Sequence, residues 1–119
     1  MQRDYIRFIV EGEVLLKPED GTSRSTKASL ADISFSGISV HSTEKIEIDI
    51  IVNFELATKV FGELVVGQGK TRYIREEFLQ GNKIFKIGIK FTNIDSGIIQ
   101  SILNRLQLDQ ITKMKKRTG

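Results

Sequence analysis

Two short groups of polar residues could bind a ligand through charge and hydrogen bonds. The first is the segment Asp32-Ile33-Ser34-Phe35-Ser36-Gly37, which places a carboxylate and two hydroxyls between apolar residues. Asp and Ser side chains bond neighbouring backbone N–H groups, so this segment is expected to form a rigid corner with Asp32 and Ser34 pointing outward. The second group is Arg3 and Arg7, four residues apart near the start of the sequence.

The residue types in these groups suit a particular ligand chemistry. Gly37 is expected to supply a positive φ angle to the corner, which other residues resist. One arginine side chain can bind two phosphate oxygens at once, stack on a flat base, or hydrogen-bond the O6/N7 edge of guanine. The two groups together predict a mobile basic arm beside a rigid acceptor for one anionic, base-bearing ligand. Each also has a plainer interpretation: solubility of a frayed terminus for the arginines, and a well-made turn for the corner.

The length and composition describe one domain. A chain of 119 residues can bury a core without staples, and it contains no cysteine for disulfides or thiolate metal sites. It has no apolar run of about 20 residues, so no membrane span is predicted. Residues 1–4 lack the apolar core of a signal peptide, so a cytoplasmic protein is expected.

The positive net charge comes from the end of the chain. Lys113, Lys115, Lys116 and Arg117 lie in the last seven residues, which contain no acid. Removing these four of the 18 cations leaves 14 against 15 acids, so residues 1–112 carry a net charge of −1. Such a body does not favour nucleic acid as a partner. Residues 111–119 are expected to form a disordered basic tail.

The sequence offers no catalytic set. His41 is the single histidine, and no histidine and carboxylate cluster has metal-ligand spacing. Gly69-Lys70-Thr71 is similar to the end of a phosphate-binding P-loop, but Leu64 stands where that motif needs a glycine. Glu76 and Glu77 alternate faces on a predicted strand, so they do not converge as an acid–base pair. A non-enzymatic protein without a cofactor is therefore predicted.

Alternating apolar and polar residues predict a mainly β fold. The cleanest two-residue period covers residues 46–54, and turn signals stand at 18–21 and at Gly81-Asn82. An antiparallel barrel or sandwich follows from short segments with no helix between them. The seven predicted segments are 8–17, 25–33, 38–40, 46–54, 58–66, 73–79 and 84–91.

The period changes after residue 92 and predicts one helix over residues 95–110. Apolar residues then recur at the three- and four-residue steps of a helical face. Asn93 or Asp95 is the expected N-cap. Because a lone amphipathic helix of this length is marginal in water, its apolar stripe should pack against one mouth or side of the β structure.

Together these features resemble the PilZ domain, a bacterial receptor module for the second messenger cyclic di-GMP. Residues 3–7 match the RxxxR motif of that family, and residues 32–37 match its [D/N]xSxxG motif. Residues 87–91 are similar to its glycine-containing last strand, and the terminal helix also fits. The resemblance covers nearly the whole chain, from Arg3 to Leu108.

The resemblance implies a six-stranded antiparallel β-barrel with one C-terminal α-helix, and no catalysis. The single domain would cover residues 1–110. Its parts would be a flexible ligand-binding arm over 1–7, the barrel over 8–91 and the helix over 95–110. The basic tail would follow.

The resemblance also implies roles for individual residues. Arg3 and Arg7 would grip phosphate and guanine, and Asp32 and Ser34 would bond the guanine edge or the sugar-phosphate. Gly37 would keep the corner open to the ligand. Many family members carry a further basic residue directly before the first motif, where this chain has Gln2. One ligand molecule and a stacked pair therefore both stay open.

Three functional hypotheses follow. In the first, cyclic di-GMP draws the arginines onto the corner, and the ordered arm creates a surface that an unidentified downstream protein reads. In the second, a PilZ-like adaptor domain binds a protein partner without nucleotide. The third, a small RNA-binding barrel, depends on the basic tail and on Tyr73-Ile74-Arg75.

Overall fold

Seven strands and one helix make up the described part of the chain. The structure, a computed structural model, describes residues 6–20 and 24–118, with side chains described as far as residue 112. The mainly β fold with a single C-terminal helix is confirmed. The elements are β1 (Phe8–Ile9), β2 (Gly12–Pro18), β3 (Thr26–Ile33), β4 (Gly37–Ser42), β5 (Ile51–Thr58), β6 (Phe61–Leu79), β7 (Asn82–Asn93) and α1 (Ser96–Thr118).

The strands form an antiparallel ring. Their order is β1-β3-β2-β5-β6-β7-β4, and a further pairing of β3 with β4 joins the two sides, so β2 to β7 form a closed circuit of six strands. Closure leaves few free strand edges, which protects them from pairing with other chains. The inward side chains of the strands form one apolar cluster, whose largest fully buried members include Phe54, Leu16 and Ile38.

The predicted first strand is interrupted by a bulge. Phe8 and Ile9 pair with Ile33 and Asp32, whereas Glu13 pairs with Ser29. From Ile9 to Glu13 the chain advances four residues, whereas the paired stretch of β3, from Asp32 back to Ser29, advances only three. One extra residue therefore lies between β1 and β2. Asp32 also pairs with Ser39 of β4. The end of β3 is therefore covered on both edges, by β1 and by β4.

The prediction of a strand over residues 46–54 is wrong in its first half. Residues 43–50 form a loop, and β5 begins only at Ile51. The buried Thr71 holds this loop, because its hydroxyl donates to the carbonyl of Glu47 at 2.7 Å and accepts from the amide of Ile50 at 3.2 Å. Asp49 has a φ of 64°, which breaks an extended chain. The alternating pattern of residues 46–50 therefore does not produce a strand, because the distant side chain of Thr71 holds this segment as a loop.

The two strands predicted over 58–66 and 73–79 are one strand, β6. Gly67 and Gly69 do not end it, because each lies where another part of the fold approaches closely. A Cβ on Gly67 would contact the ring of Phe54 and the side chain of Ile94. The hairpin that follows turns at Gln80 and Gly81, with φ angles of 52° and 82°, one residue earlier than predicted.

Helix α1 packs its apolar stripe on the ring. Ile99, Ile102 and Leu106 belong to the same buried cluster as the inward strand residues. Asp95 is the N-cap, since its Oδ1 accepts from the amide of Gly97 at 2.9 Å.

The helix continues to Thr118, so its predicted end at residue 110 is too early, and residues 111–118 are helical rather than disordered. Lysine and arginine are good helix formers and are favoured near a helix C-terminus. In the described part of the chain, no helix is both long and apolar enough to cross a membrane.

Candidate functional site

The corner between β3 and β4 is held by its own hydrogen bonds. The amide of Ser34 donates to the carbonyl of Gly37 at 2.9 Å, and the amide of Ser36 donates to the hydroxyl of Ser34 at 3.2 Å. The amide of Phe91 donates to the carbonyl of Ser36 at 2.8 Å, which ties the corner to β7. The predicted corner is confirmed. Ser34 is fully buried in it, however, and does not point outward as predicted.

Arg7 lies directly on this corner. Its Nε donates to Oδ1 of Asp32 at 2.8 Å, and one Nη forms an ion pair with the same oxygen at 2.7 Å. The other Nη donates to the hydroxyl of Ser34 at 3.2 Å, and a further bond of 3.3 Å reaches the hydroxyl of Ser39. A guanidinium group has five N–H donors, so most of the donors of Arg7 are engaged and its plane is fixed. Its side chain nevertheless remains 43% exposed.

The carboxylate of Asp32 has cations on two sides. Oδ1 is bound to Arg7, and Oδ2 lies 3.8 Å from Nζ of Lys86. The side chain is only 15% exposed, so its contacts with these groups replace most of its contact with water. Arg7 and Lys86 therefore fix the orientation of the Asp32 carboxylate before a ligand binds.

Gly37 is needed for space. It lies in β4 opposite Lys90, and its φ is not positive, contrary to the expectation from sequence. A Cβ at this position would overlap the carbonyl oxygen of Ile89. Glycine therefore permits the close approach of β4 to β7 immediately beside the corner.

One row of residues crosses the outer face of the ring at the site. Asp32 pairs with Ser39, Ser39 with Gly88, and Gly88 with Tyr73. Because side chains alternate between faces along a strand and the neighbouring residues Ile38 and Ile89 are buried, this row faces outward. The hydroxyl of Tyr73 reaches across Gly88 to the hydroxyl of Ser39 at 3.2 Å. Tyr73 is thus joined to Arg7 through a single serine.

The structure brings together four of the five predicted site residues: Arg7, Asp32, Ser34 and Gly37. The fifth, Arg3, lies outside the described residues. Sequence reasoning missed the roles of Ser39, Lys86 and Tyr73, because their position depends on strand register. The alternating pattern of β4 could have placed Ser39 on the same face as the site.

Other polar groups of the described chain form no second centre of this kind. Within residues 6–20 and 24–118, no group of three or more His, Asp or Glu side chains could hold a metal ion. His41 lies 3.4 Å from a carboxylate oxygen of Glu77 on the hairpin of β6 and β7. The region around Arg7 and Asp32 is therefore the best-connected polar cluster that the structure describes.

Comparisons with solved structures show the fold. The PilZ domain of YcgR from Escherichia coli, with c-di-GMP, is 16% identical with a TM-score of 0.75; the match covers 98% of this chain and 99% of that one. MotI (DgrA), an inhibitor of motility from Bacillus subtilis, is 18% identical with a TM-score of 0.74, over 95% and 53% of the two chains. MrkH of K. pneumoniae, in complex with c-di-GMP, is 14% identical with a TM-score of 0.75, over 98% and 55%. The chain thus spans about half the length of MotI and MrkH.

A family model identifies the chain more directly than these distant structures. No curated protein matches it. The model of the PilZ domain matches residues 1–107, which include both sequence motifs and all seven strands. The chain therefore belongs to the PilZ domain family.

Proposed function

We propose that this protein is a non-enzymatic receptor for cyclic di-GMP whose site is formed by Arg3, Arg7, Asp32, Ser34 and Gly37. The observation that carries the proposal is the contact of Arg7 with Asp32 and Ser34, which are 25 and 27 residues away in sequence. The structures of the YcgR PilZ domain with c-di-GMP and of the MrkH complex with c-di-GMP support the same ligand here. No cofactor is required by this function.

The chemistry of the site fits a guanine nucleotide. The flat guanidinium of Arg7 is held in place by Asp32 and is still partly exposed, so a base can stack on it or a phosphate can bind its edge. A carboxylate accepts hydrogen bonds from the N–H donors of guanine, and Asp32 presents Oδ2 for this purpose. Lys86 lies on the same carboxylate and adds positive charge for the phosphates.

Ligand binding on this scheme adds to the partners of Arg7. A phosphate binds the exposed edge of the guanidinium, while Asp32 keeps its bond to Arg7 through Oδ1 and accepts from the guanine edge at Oδ2. Arg3 adds a second guanidinium from the N-terminal arm, and the arm becomes ordered around the ligand. The reshaped surface is read by a protein partner in the cytoplasm. Ordering the arm has a free-energy cost, so a micromolar dissociation constant, about −8 kcal/mol, is expected.

Calorimetric titration of the full chain with cyclic di-GMP tests the proposal. Wild-type protein should bind, and Arg7→Ala should weaken binding at least tenfold, because charge-assisted hydrogen bonds contribute about 1.5–3 kcal/mol each. Arg24→Ala is the matched control, since this exposed arginine precedes β3 at the end remote from Asp32. Heat absent from the wild-type titration, with no thermal stabilisation by the nucleotide, would overturn the proposal and favour the adaptor hypothesis.

A further inference from the structure

The ring of Tyr73 lies over a position that has no side chain. Gly88 is its partner across β6 and β7, and a Cβ on Gly88 would overlap the tyrosine ring at Cε2. The missing side chain lets the ring extend over β7 toward β4, where its hydroxyl bonds Ser39 at 3.2 Å. The ring remains 40% exposed although one side rests on the sheet. An exposed aromatic ring fixed at two points is a preformed flat surface.

An open cavity lies beside this ring. Its volume is about 350 Å³, and its lining includes Tyr73, Gly88, Arg7, Arg72 and Lys90. Among the described residues that line it, none is acidic, whereas three are cationic. Arg72 is the extra residue of a bulge between Thr71 and Tyr73, which turns it toward the same outer face. The cavity thus combines an aromatic surface with positive charge, and its size suits part of a dinucleotide.

On these observations we infer that Tyr73, seated on Gly88, is a stacking platform for one purine base of the ligand, and that Arg72 and Lys90 bind the adjoining phosphate. This inference rests on the proposed function and adds a second contact region to the Arg7 and Asp32 site. It also gives Tyr73 a role other than RNA binding.

Stacking and tethering act together in this subsite. Every nucleobase has a flat face, and base stacking on an aromatic side chain is worth a roughly 5- to 150-fold change in affinity. The bond between Tyr73 and Ser39 fixes the ring, and Ser39 also accepts from Arg7, so the platform and the gripping arginine have a common support. Arg75 lies 5.7 Å from the ring centroid. Its side chain is 61% exposed, so a base can displace it at small cost.

Substitution of the ring tests the inference by calorimetry with cyclic di-GMP on the full chain. Tyr73→Ala should weaken binding about tenfold, because the platform is removed. Tyr73→Phe keeps the ring and loses only the bond to Ser39, so its affinity should stay within about threefold of wild type. Phe78→Ala is the matched control: it removes another exposed aromatic ring of β6 that does not line the cavity, and it should leave binding unchanged.

A double substitution separates the platform from a general loss of structure. Gly88→Ala should weaken binding about tenfold by displacing the ring, but it should have no further effect in Tyr73→Ala, where there is no ring to displace. Thermal unfolding of each variant checks that the fold is retained.

The outcomes distinguish this inference from the proposed function. If wild type binds and Arg7→Ala does not, but Tyr73→Ala binds as wild type does, the platform is wrong and the receptor stands. If wild type itself fails to bind, the proposed function fails. Independent effects of Gly88→Ala and Tyr73→Ala, which multiply in the double variant, would also overturn the platform.

Discussion

Arg7 binds a single oxygen of Asp32 with two of its nitrogens, at 2.8 and 2.7 Å. The second carboxylate oxygen is left facing Lys86 at 3.8 Å. This geometry differs from a parallel two-oxygen pair, in which both carboxylate oxygens would be occupied by the guanidinium. Asp32 can therefore hold Arg7 in position and still offer an acceptor toward the ligand.

A double-mutant cycle should detect this pair in the absence of ligand. Arg7→Ala and Asp32→Ala should each lower the free energy of unfolding, and the double variant should lose less than the sum, with a coupling of about 0.5 kcal/mol. The value is small because Arg7 is 43% exposed, so solvent screens its charge. Chemical denaturation measures it. A cycle of Arg24→Ala with Asp32→Ala should show additive effects, and additivity in the first cycle would contradict the contact.

Gly37→Ala should destabilise the protein because the new Cβ would overlap the carbonyl oxygen of Ile89. Relief requires a shift of β4 against β7, at a cost of about 1–3 kcal/mol and about 4 °C of Tm for each kcal/mol. Gly62→Ala is the control, since a Cβ there would meet nothing within 4 Å. Thermal unfolding compares the two. Equal Tm values for both variants would show that space is not the reason for glycine at position 37.

Thr71→Val tests what holds the loop over residues 43–50. Valine fills the same volume but leaves the carbonyl of Glu47 and the amide of Ile50 without their hydroxyl partner. A loss of about 1–3 kcal/mol is expected, together with faster amide hydrogen exchange at Ile50. Thr92→Val, at an exposed position of β7, should change neither quantity. Unchanged exchange at Ile50 in Thr71→Val would refute this account of the loop.

Two substitutions should separate the packed and unpacked parts of α1. Ile102 is fully buried against the ring, so Ile102→Ala should cost about 2–5 kcal/mol. Leu108 is 62% exposed, and Leu108→Ala should cost less than about 0.5 kcal/mol. Denaturant unfolding of both variants measures the difference. Similar losses at the two positions would mean that the helix packs over more of its length than the structure shows.

The parts of the fold that depend on local pattern could be predicted from sequence. Strand β3, the corner and the start of α1 follow from alternation, turn residues and an N-cap. The loop over 43–50 could not be predicted, because its partner Thr71 is 21 residues from Ile50. The continuity of β6 past Gly67 depends in the same way on contacts with distant side chains.

The site followed the same division. Arg7, Asp32 and Ser34 belong to the two sequence motifs, so they could be predicted from the sequence. Their contacts confirm that they lie together. It placed Ser34 outward and gave Gly37 a positive φ, whereas burial and strand spacing determine both residues. From the sequence, Tyr73 is a candidate only for RNA contact. Its relation to Ser39 and Gly88 exists only once the strands are in register.

Amide chemical-shift mapping during a titration with cyclic di-GMP tests the central claim most directly. The account predicts that the largest changes in amide chemical shift occur at Arg7 and residues 32–39. The amide chemical shifts of residues 16–18 and 51–54, in β2 and β5, should not change. The same titration of Arg7→Ala should need at least tenfold more ligand to produce the same chemical-shift changes in residues 32–39. The account would be contradicted if saturating nucleotide changed none of the amide chemical shifts of Arg7 and residues 32–39 in the wild-type protein.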